Sequence, residues 1–293
     1  MTKLEKVIFE HPKYKALGAG ASKGEQQAVL DEIAEEAVRQ VAPEDLSAHV
    51  AEVYDMTVGE YAANPHTADV IDELIPFMEA LPNNAKVLDL GCGTGRDAFF
   101  MSISDENFRK SLMNRSSHGK TTCEKYAAPS NILKVYAADS SKEMLKSALT
   151  KKIELYEKGM LPSFYLPYFL ENDMHSDSGF SGFDAVWSCT ALFTHTPKEF
   201  ISQSIQVVAK ALKPGGLFFA SYTSGLADGG RYDKLLLSST GRIKYFSQPD
   251  PSQIAAAAGL NGLLLVSESL SDLEAKGRVI KKDLFVSQLY RKT

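Results

Sequence analysis

This chain of 293 residues has few cysteines, no excess of positive charge and no long apolar run. The three cysteines are too few and too scattered for a disulfide framework or a structural zinc site, and no metal-binding pattern is readable. No run approaches the ~20 apolar residues that a membrane-spanning helix needs, and the first residues hold no apolar segment of signal-peptide length. We therefore expect a cytoplasmic protein with reduced thiols and no membrane partner.

The charge balance argues against a nucleic-acid partner. Acidic residues number 37 against 32 lysines and arginines, which gives a net charge of −5. Proteins that bind phosphate backbones normally present a basic face to them. The 44% hydrophobic and 24% charged residues are ordinary for a soluble globular protein, and the length fits one large α/β domain with additions or two small domains.

Helical patterns dominate the N-terminal part of the chain. Residues 1–20 look irregular, and apolar periodicity predicts a helix over 24–41 that starts with a capping box formed by Ser22 and Glu25. We interpret residues 1–50 as a helical extension or cap.

Strand-type and helical segments alternate in the rest of the chain. A helix is predicted over 67–81, where Pro76 should kink or split it. Apolar strands separated by helices indicate βαβ units and a mostly parallel sheet covered on both faces. The polar stretch 104–131 is predicted to be a surface insertion. The predicted strands lie near 86–90, 132–138, 163–170, 183–188, 217–222, 262–268 and 283–290, and the helices near 95–103, 141–157, 197–212 and 251–258.

The peptide KVLDLGCGTGRDAFF places three glycines directly after a predicted strand. Gly91, Gly93 and Gly95 lack a Cβ, so the turn can be tight and a ligand can lie against the main chain. In open parallel sheets, ligands bind beyond the carboxyl ends of the strands. The dinucleotide fingerprint G-x-G-x-x-G fits poorly, because Arg96 stands three residues after Gly93. The carboxylate of Asp89 would also repel a pyrophosphate.

VLDLGCGTG resembles the first motif of class I S-adenosylmethionine (SAM)-dependent methyltransferases. Further segments follow in that family's order: VYAADSSKEML at 135–145, FLENDM at 169–174, FDAVWSCTALFTHTP at 183–197, ALKPGGLFFASY at 211–222 and DLFVSQLYRK at 283–292. The resemblance implies an α/β fold with a Rossmann-like, seven-stranded, mostly parallel sheet, an antiparallel last strand and helices on both faces. It also implies a methyltransferase domain over 51–293.

The resemblance implies SAM as the cofactor and S-adenosylhomocysteine (SAH) as its product. In that family an acid after the second strand grips the ribose hydroxyls, which assigns this role to Asp139. Arg96 would hold the methionine carboxylate, and Asp173 would meet the adenine amino group. The full predicted set is Asp89, Gly91, Cys92, Gly93, Arg96, Asp139, Ser140, Met144, Asp173, Met174, Ser188 and, from the covering N-terminal segment, Tyr61.

Several of these residues also suit a structural role. Asp139 can cap the helix that follows it, and Met144 can pack in the core. Asp173 can be an ordinary turn acid, and Arg96 can be solvated. Tyr61 lies two helical turns after Tyr54, and this face can cover a ligand or merely pack the helix onto the sheet.

Methyl transfer from a sulfonium depends mainly on positioning, which is worth up to ~7–11 kcal/mol. A general base is required only if the acceptor must lose a proton. His195 stands where it can serve as that base, although a hydrogen bond within its own loop would suit it too. The acceptor site is predicted to be formed by the N-terminal helices and the segment 223–250, which carries tyrosines and arginines.

The sequence thus predicts a SAM-dependent methyltransferase acting on an O or N atom of a small molecule. A protein or RNA methyltransferase is the nearest alternative, but the segment DAVWSC lacks the D/N-P-P-Y/F motif with which amino-methylating nucleic-acid enzymes hold an extruded base. A non-catalytic SAM-binding protein is a second alternative, since a fold does not prove an activity. A nicotinamide dehydrogenase is disfavoured by Arg96. The oligomeric state stays open.

Overall fold

The computed structural model describes residues 1–63, 71–103, 105–107, 110, 131–161, 166–177, 179–228, 230–272 and 284–293. Most of the predicted insertion 104–131 lies outside the described residues, and so does part of the predicted strand 163–170. Among the helices of these ranges, none combines the length and apolar character that crossing a bilayer requires.

Four helices form the N-terminal part of the chain: α1 (Lys3–Glu10), α2 (Pro12–Lys15), α3 (Lys23–Val38) and α4 (Pro43–Ala63). The prediction that residues 1–20 are irregular is wrong, because Thr2 and Glu5 form a capping box that starts α1. The predicted capping box of Ser22 and Glu25 is confirmed at the start of α3.

Five strands run in parallel: β1 (Lys86–Leu90), β2 (Lys134–Asp139), β3 (Tyr168–Glu171), β4 (Phe183–Cys189) and β5 (Leu212–Ser224). With β8 (Leu263–Asp272) and β9 (Leu284–Lys292) they form one seven-stranded sheet in the order β3-β2-β1-β4-β5-β9-β8. The last strand, β9, is antiparallel to both of its neighbours. These findings confirm the predicted Rossmann-like sheet. Strand order reverses between β1 and β4, so a ligand is expected at their carboxyl ends.

Helices cover both faces of the sheet, as predicted: α5 (Ile71–Glu79), α6 (Arg96–Ser102), α7 (Lys142–Glu157), α8 (Ile201–Ala211) and α9 (Pro251–Leu260). On one face, α5 and α6 pack around Trp187, which stacks on Phe219 with ring centroids 4.1 Å apart. On the other face, α8 and α9 pack around Phe218. Pro76 lies inside α5 without splitting it, while 67–70 lie outside the described residues.

The predicted acceptor segment 223–250 contains a hairpin of β6 (Asp233–Leu237) and β7 (Ile243–Ser247) that packs on the N-terminal helices. The amide of Gln27 joins the two parts, because its Nε2 donates to the Leu235 carbonyl at 2.7 Å and its Oε1 accepts from the Leu237 N–H at 3.0 Å. We call α1–α4 and this hairpin the cap. Helix α4 continues through residue 50, and the division into 1–50 and 51–293 stays a prediction.

Candidate functional site

The glycine turn brings main chain from two strands together at the switch in strand order. The N–H groups of Gly91 and Cys92 both donate to the Ala138 carbonyl, at 2.8 and 3.0 Å. Gly91 has φ +79°, and a Cβ there would lie only 2.2 Å from the Cβ of Ala191. No other residue fits that position without moving the chain after β4. The atom nearest to a Cβ on Gly93 would be a ring carbon of Tyr61, at 3.4 Å.

The carboxylate of Asp139 sits beside this turn, at the end of β2. Its Oδ2 accepts from the Gly93 N–H at 2.8 Å, and its Oδ1 accepts from the Ser141 N–H at 2.8 Å. The N-cap of α7 is Ser141 rather than Asp139, since the Ser141 hydroxyl accepts from the Met144 N–H at 3.1 Å. Burial raises the pKa of Asp139, while the two N–H groups oppose this rise. Ser140 lies half-buried beside it.

An acidic residue of the cap also contacts this region, at the N-terminus of α7. Asp55 on α4 accepts from the Ser141 hydroxyl at 2.6 Å and from the Glu143 N–H at 3.0 Å. Its carboxylate therefore lies at the N-terminus of α7, where the helix dipole favours negative charge. Asp55 could not be predicted from the sequence, because no local pattern marks an acid that caps a helix far along the chain.

Asp89 is buried at the end of β1. Its Oδ2 has no hydrogen-bond partner among the described residues. Burial and the nearby Asp97 carboxylate raise the pKa of Asp89 well above its ordinary value. A cationic ligand group beside Asp89 would relieve this unfavourable charge.

Arg96 is anchored rather than simply solvated. Its Nε and one terminal nitrogen contact Asp97 at 2.6 and 3.0 Å, and the terminal nitrogen also reaches the Cys189 Sγ at 3.4 Å. Asp97 accepts in addition from the Trp187 Nε1–H at 2.9 Å. Burial raises the pKa of Cys189 to about 12, so its thiol stays protonated near neutral pH. Burial is also the main reason why the pKa of Cys92 is raised.

The remaining predicted residues differ in what they can touch. Met174 is buried, and its sulfur would lie 3.1 Å from a Cβ on Gly91. Asp173 is exposed and accepts from the His175 N–H at 3.0 Å, as a turn acid does. Met144 is buried. The Ser188 hydroxyl is also buried and donates to the Leu90 carbonyl at 2.8 Å, so its side chain serves the fold.

His195 lies in the loop after β4, where its ring contacts the cap. Its Nδ1 is 3.1 Å from the Tyr245 carbonyl, which can only accept, so Nδ1 carries the proton. Its Nε2, 2.9 Å from the Tyr54 hydroxyl, therefore accepts from Tyr54. Burial lowers the pKa of His195 to about 4, so the ring is neutral near pH 7. Both partners of this histidine come from the cap, not from its own loop.

An aromatic row connects this histidine to the glycine turn. The ring of Tyr61 meets Tyr54 edge-on at 6.1 Å, Tyr54 meets His195 at 5.1 Å, and His195 meets Phe246 at 5.0 Å. Lys244 lies 5.6 Å from the centroid of the Tyr54 ring. Tyr61 and Tyr54 thus extend from the glycine turn, where Tyr61 lies beside Gly93, to the hairpin, where Lys244 lies beside Tyr54. Across the ranges that the structure covers, no three His, Cys, Asp or Glu side chains could together hold a metal ion.

Similarity to solved structures appears at the level of the fold. The 1,6-didemethyltoxoflavin-N1-methyltransferase from Burkholderia thailandensis aligns with a TM-score of 0.55 at 15% identity, covering 86% of this chain and 91% of that one. Magnesium protoporphyrin IX methyltransferase from Synechocystis with bound SAH aligns with a TM-score of 0.54 at 16% identity, covering 85% and 100%. The chain has the fold of class I SAM-dependent methyltransferases.

This methyltransferase fold does not by itself specify the reaction. The [4+2]-cyclase SpnF aligns with a TM-score of 0.55 at 16% identity, covering 83% of this chain and 94% of that one. Neither a protein-family model nor a curated protein sequence matches the chain. The function must therefore be argued from the site itself.

Proposed function

We propose that the protein is a SAM-dependent methyltransferase that acts on an O or N atom of a small molecule. The position of Asp139 carries the proposal. Its two oxygens are held by the N–H groups of Gly93 and Ser141, each at 2.8 Å, and the Ser140 N–H also acts on it, yet a carboxylate has about four lone-pair sites, so it can still accept from a further donor. A carboxylate fixed in this way beside a glycine turn suits the two hydroxyls of a ribose.

The charges at the switch point also suit SAM. The buried Asp89 carboxylate, with Oδ2 unpartnered among the described residues, favours a ligand that brings a positive group to the end of β1. When bound, SAM supplies a methyl group already activated on a cationic sulfur. The chain then has to bind, orient the acceptor and exclude water. The predicted contacts of Arg96, Asp173 and the other site residues remain part of this proposal.

Tyr54 is the group that we expect to touch the acceptor, with His195 acting behind it. If the acceptor carries a hydroxyl, its proton passes to the Tyr54 oxygen while the Tyr54 proton passes to His195 Nε2, which is 2.9 Å away. SAM, when bound, would supply the methyl group by loss of its sulfur–methyl bond, with the electron pair staying on sulfur to leave SAH, while the acceptor gave up its proton. Because the pKa of His195 is lowered to about 4, the histidine gives the proton up to water once the product leaves.

Calorimetry with SAM, SAH and NAD tests the cofactor. We expect SAM and SAH to bind and NAD not to bind. Asp139→Ala should weaken SAM binding at least ~10-fold, the loss of one hydrogen-bonded charged group. Asp177→Ala is the matched control, because Asp177 is an exposed acid paired with Lys210. Binding of NAD in place of SAM, or equal SAM affinities for the two variants, would refute the proposal.

A second candidate is a SAM-binding protein of this fold that catalyses a different reaction, because a cyclase shares the fold at the same TM-score. Incubation with SAM labelled in its methyl group distinguishes the two. Label found in a small-molecule product supports the methyltransferase, and label that stays in SAM despite tight binding supports the second candidate. Label in protein or RNA would instead favour a macromolecular acceptor. Of these two, RNA is the weaker proposal, because the net charge of the chain is −5. The cytoplasmic location also remains a proposal.

A further inference from the structure

A cavity of about 510 Å3 lies where the N-terminal ends of α8 and α9 meet the end of β5. Its lining includes neither the glycine turn nor Tyr54 and His195. Tyr232 forms part of its wall and donates to the Thr196 carbonyl at 2.8 Å, so the chain just after His195 borders the cavity. The volume falls within the ~300–1,000 Å3 that is typical of small-molecule sites.

Gln248 gives this cavity an unsatisfied polar group. The residue is 4% exposed, and its Nε2 has no hydrogen-bond acceptor among the described residues. Its main chain is fixed, since its N–H donates to the Tyr232 carbonyl at 2.7 Å. Buried amides are almost always paired, and an unpaired one destabilises the folded protein. Gln248 also lines the cavity, so a ligand toward which this amide turned would supply the missing partner.

Two opposite charges line the same cavity without neutralising each other. Within the described part of the chain, Lys198 and Asp250 form no ion pair with one another, although the charge of Lys198 also acts on Asp233, whose pKa it lowers against the effect of burial. Asp250 Oδ1 caps α9 by accepting from the Ser252 N–H at 2.8 Å, which leaves Oδ2 for a further donor. An ammonium and a carboxylate held apart in this way complement a ligand that carries the reverse pair of charges.

Apolar side chains complete the wall. Ile201, Leu226 and Ala257 line the cavity together with the polar groups. We propose that this cavity binds a small zwitterion of the α-amino-acid type with an apolar side chain. Its carboxylate faces Lys198 and the Gln248 amide, its ammonium faces Asp250, and its side chain lies against the apolar wall. The proposal concerns a site separate from the glycine turn, so it stands or falls independently of SAM binding.

Leucine, N-acetylleucine and leucine methyl ester are the probes for this site. N-acetylleucine lacks the ammonium and the ester lacks the carboxylate, while all three keep the apolar side chain. We expect leucine to bind in calorimetry and to raise the melting temperature at millimolar concentration, and both blocked compounds to bind at least tenfold more weakly. Equal binding of all three probes, or no binding of leucine, would overturn the proposal.

The variants Gln248→Met and Lys198→Met connect binding to the cavity. Gln248→Met removes the unsatisfied amide at similar volume, so we expect it to raise the melting temperature of the ligand-free protein by ~2 °C and to abolish the shift caused by leucine. Lys198→Met should weaken leucine binding at least tenfold. Lys158→Met, an exposed lysine at the end of α7, is the control and should leave it unchanged. Leucine binding that survives in both cavity variants would place the ligand elsewhere and refute the assignment.

Discussion

Asp55 on α4 accepts a 2.6 Å hydrogen bond from the hydroxyl of Ser141, the N-cap residue of α7. The Ser141 N–H in turn donates to Asp139, so a single residue connects the cap to the proposed ribose acid. This relationship connects the cap to the proposed cofactor site by two hydrogen bonds. It also predicts that a change in α4 alters cofactor binding without touching the cofactor.

Asp55→Ala should weaken SAM binding ~3–10-fold and lower the free energy of unfolding by about 1–2 kcal/mol, because the Ser141 hydroxyl and the Glu143 N–H lose their acceptor. Calorimetry and denaturant unfolding measure the two effects. Asp45→Ala removes another acid of the same helix, one paired with Lys3 at the surface, and should leave the SAM affinity unchanged. A loss of affinity in Asp45→Ala as large as in Asp55→Ala would show that the effect is general to the helix.

Gly91→Ala should destabilise the protein by at least ~3 kcal/mol, since the new Cβ meets Ala191 at 2.2 Å in addition to the strain of a positive φ. Gly215→Ala separates the two causes. Gly215 has φ +77°, and outside its adjoining residues no atom of the described residues lies within 4 Å of the position that a Cβ would take, so the backbone strain of ~1–2 kcal/mol is the expected cost. Urea unfolding of both variants measures the difference. Similar losses in the two would mean that the contact with Ala191 relaxes without cost.

The sheet and its glycine turn could be predicted because their signals are local. Apolar runs mark the strands, and β1 begins and ends at the predicted residues, 86 and 90. The partners of His195 could not be predicted, since Tyr54 lies 141 positions earlier in the chain and no periodicity links the two. The same holds for the packing of the hairpin on α3 through Gln27. Helix α1 was missed although the local signal Thr2-x-x-Glu5 was present.

Arg96→Met should lower the free energy of unfolding by about 1–3 kcal/mol, because it removes the main partner of the largely buried Asp97. Although burial raises the pKa of Asp97, Arg96 and its hydrogen bonds hold this pKa below the ordinary value. Arg96→Met should therefore raise the pKa of Asp97. Trp187, the single tryptophan of the chain, donates to Asp97 at 2.9 Å and reports the change by its fluorescence. A pH titration of that fluorescence identical to the wild type would contradict the prediction.

His195 should make the stability of the protein fall as the solution is acidified. Burial lowers its pKa in the folded protein to about 4, below the ~6.5 of an exposed histidine, so the unfolded chain binds the proton more tightly. The contribution is complete above pH ~6.5, falls as the pH drops toward 4, and amounts to about 3 kcal/mol.

The free energy of unfolding of wild type and His195→Gln, measured from pH 7 to pH 4, isolates this contribution from other titrating groups. The glutamine amide can still contact the Tyr245 carbonyl or the Tyr54 hydroxyl, but it does not titrate. We expect the two curves to converge as the pH falls, because only the wild type loses the histidine contribution. Parallel curves over this range would mean that folding does not lower the pKa of His195, which would contradict the prediction.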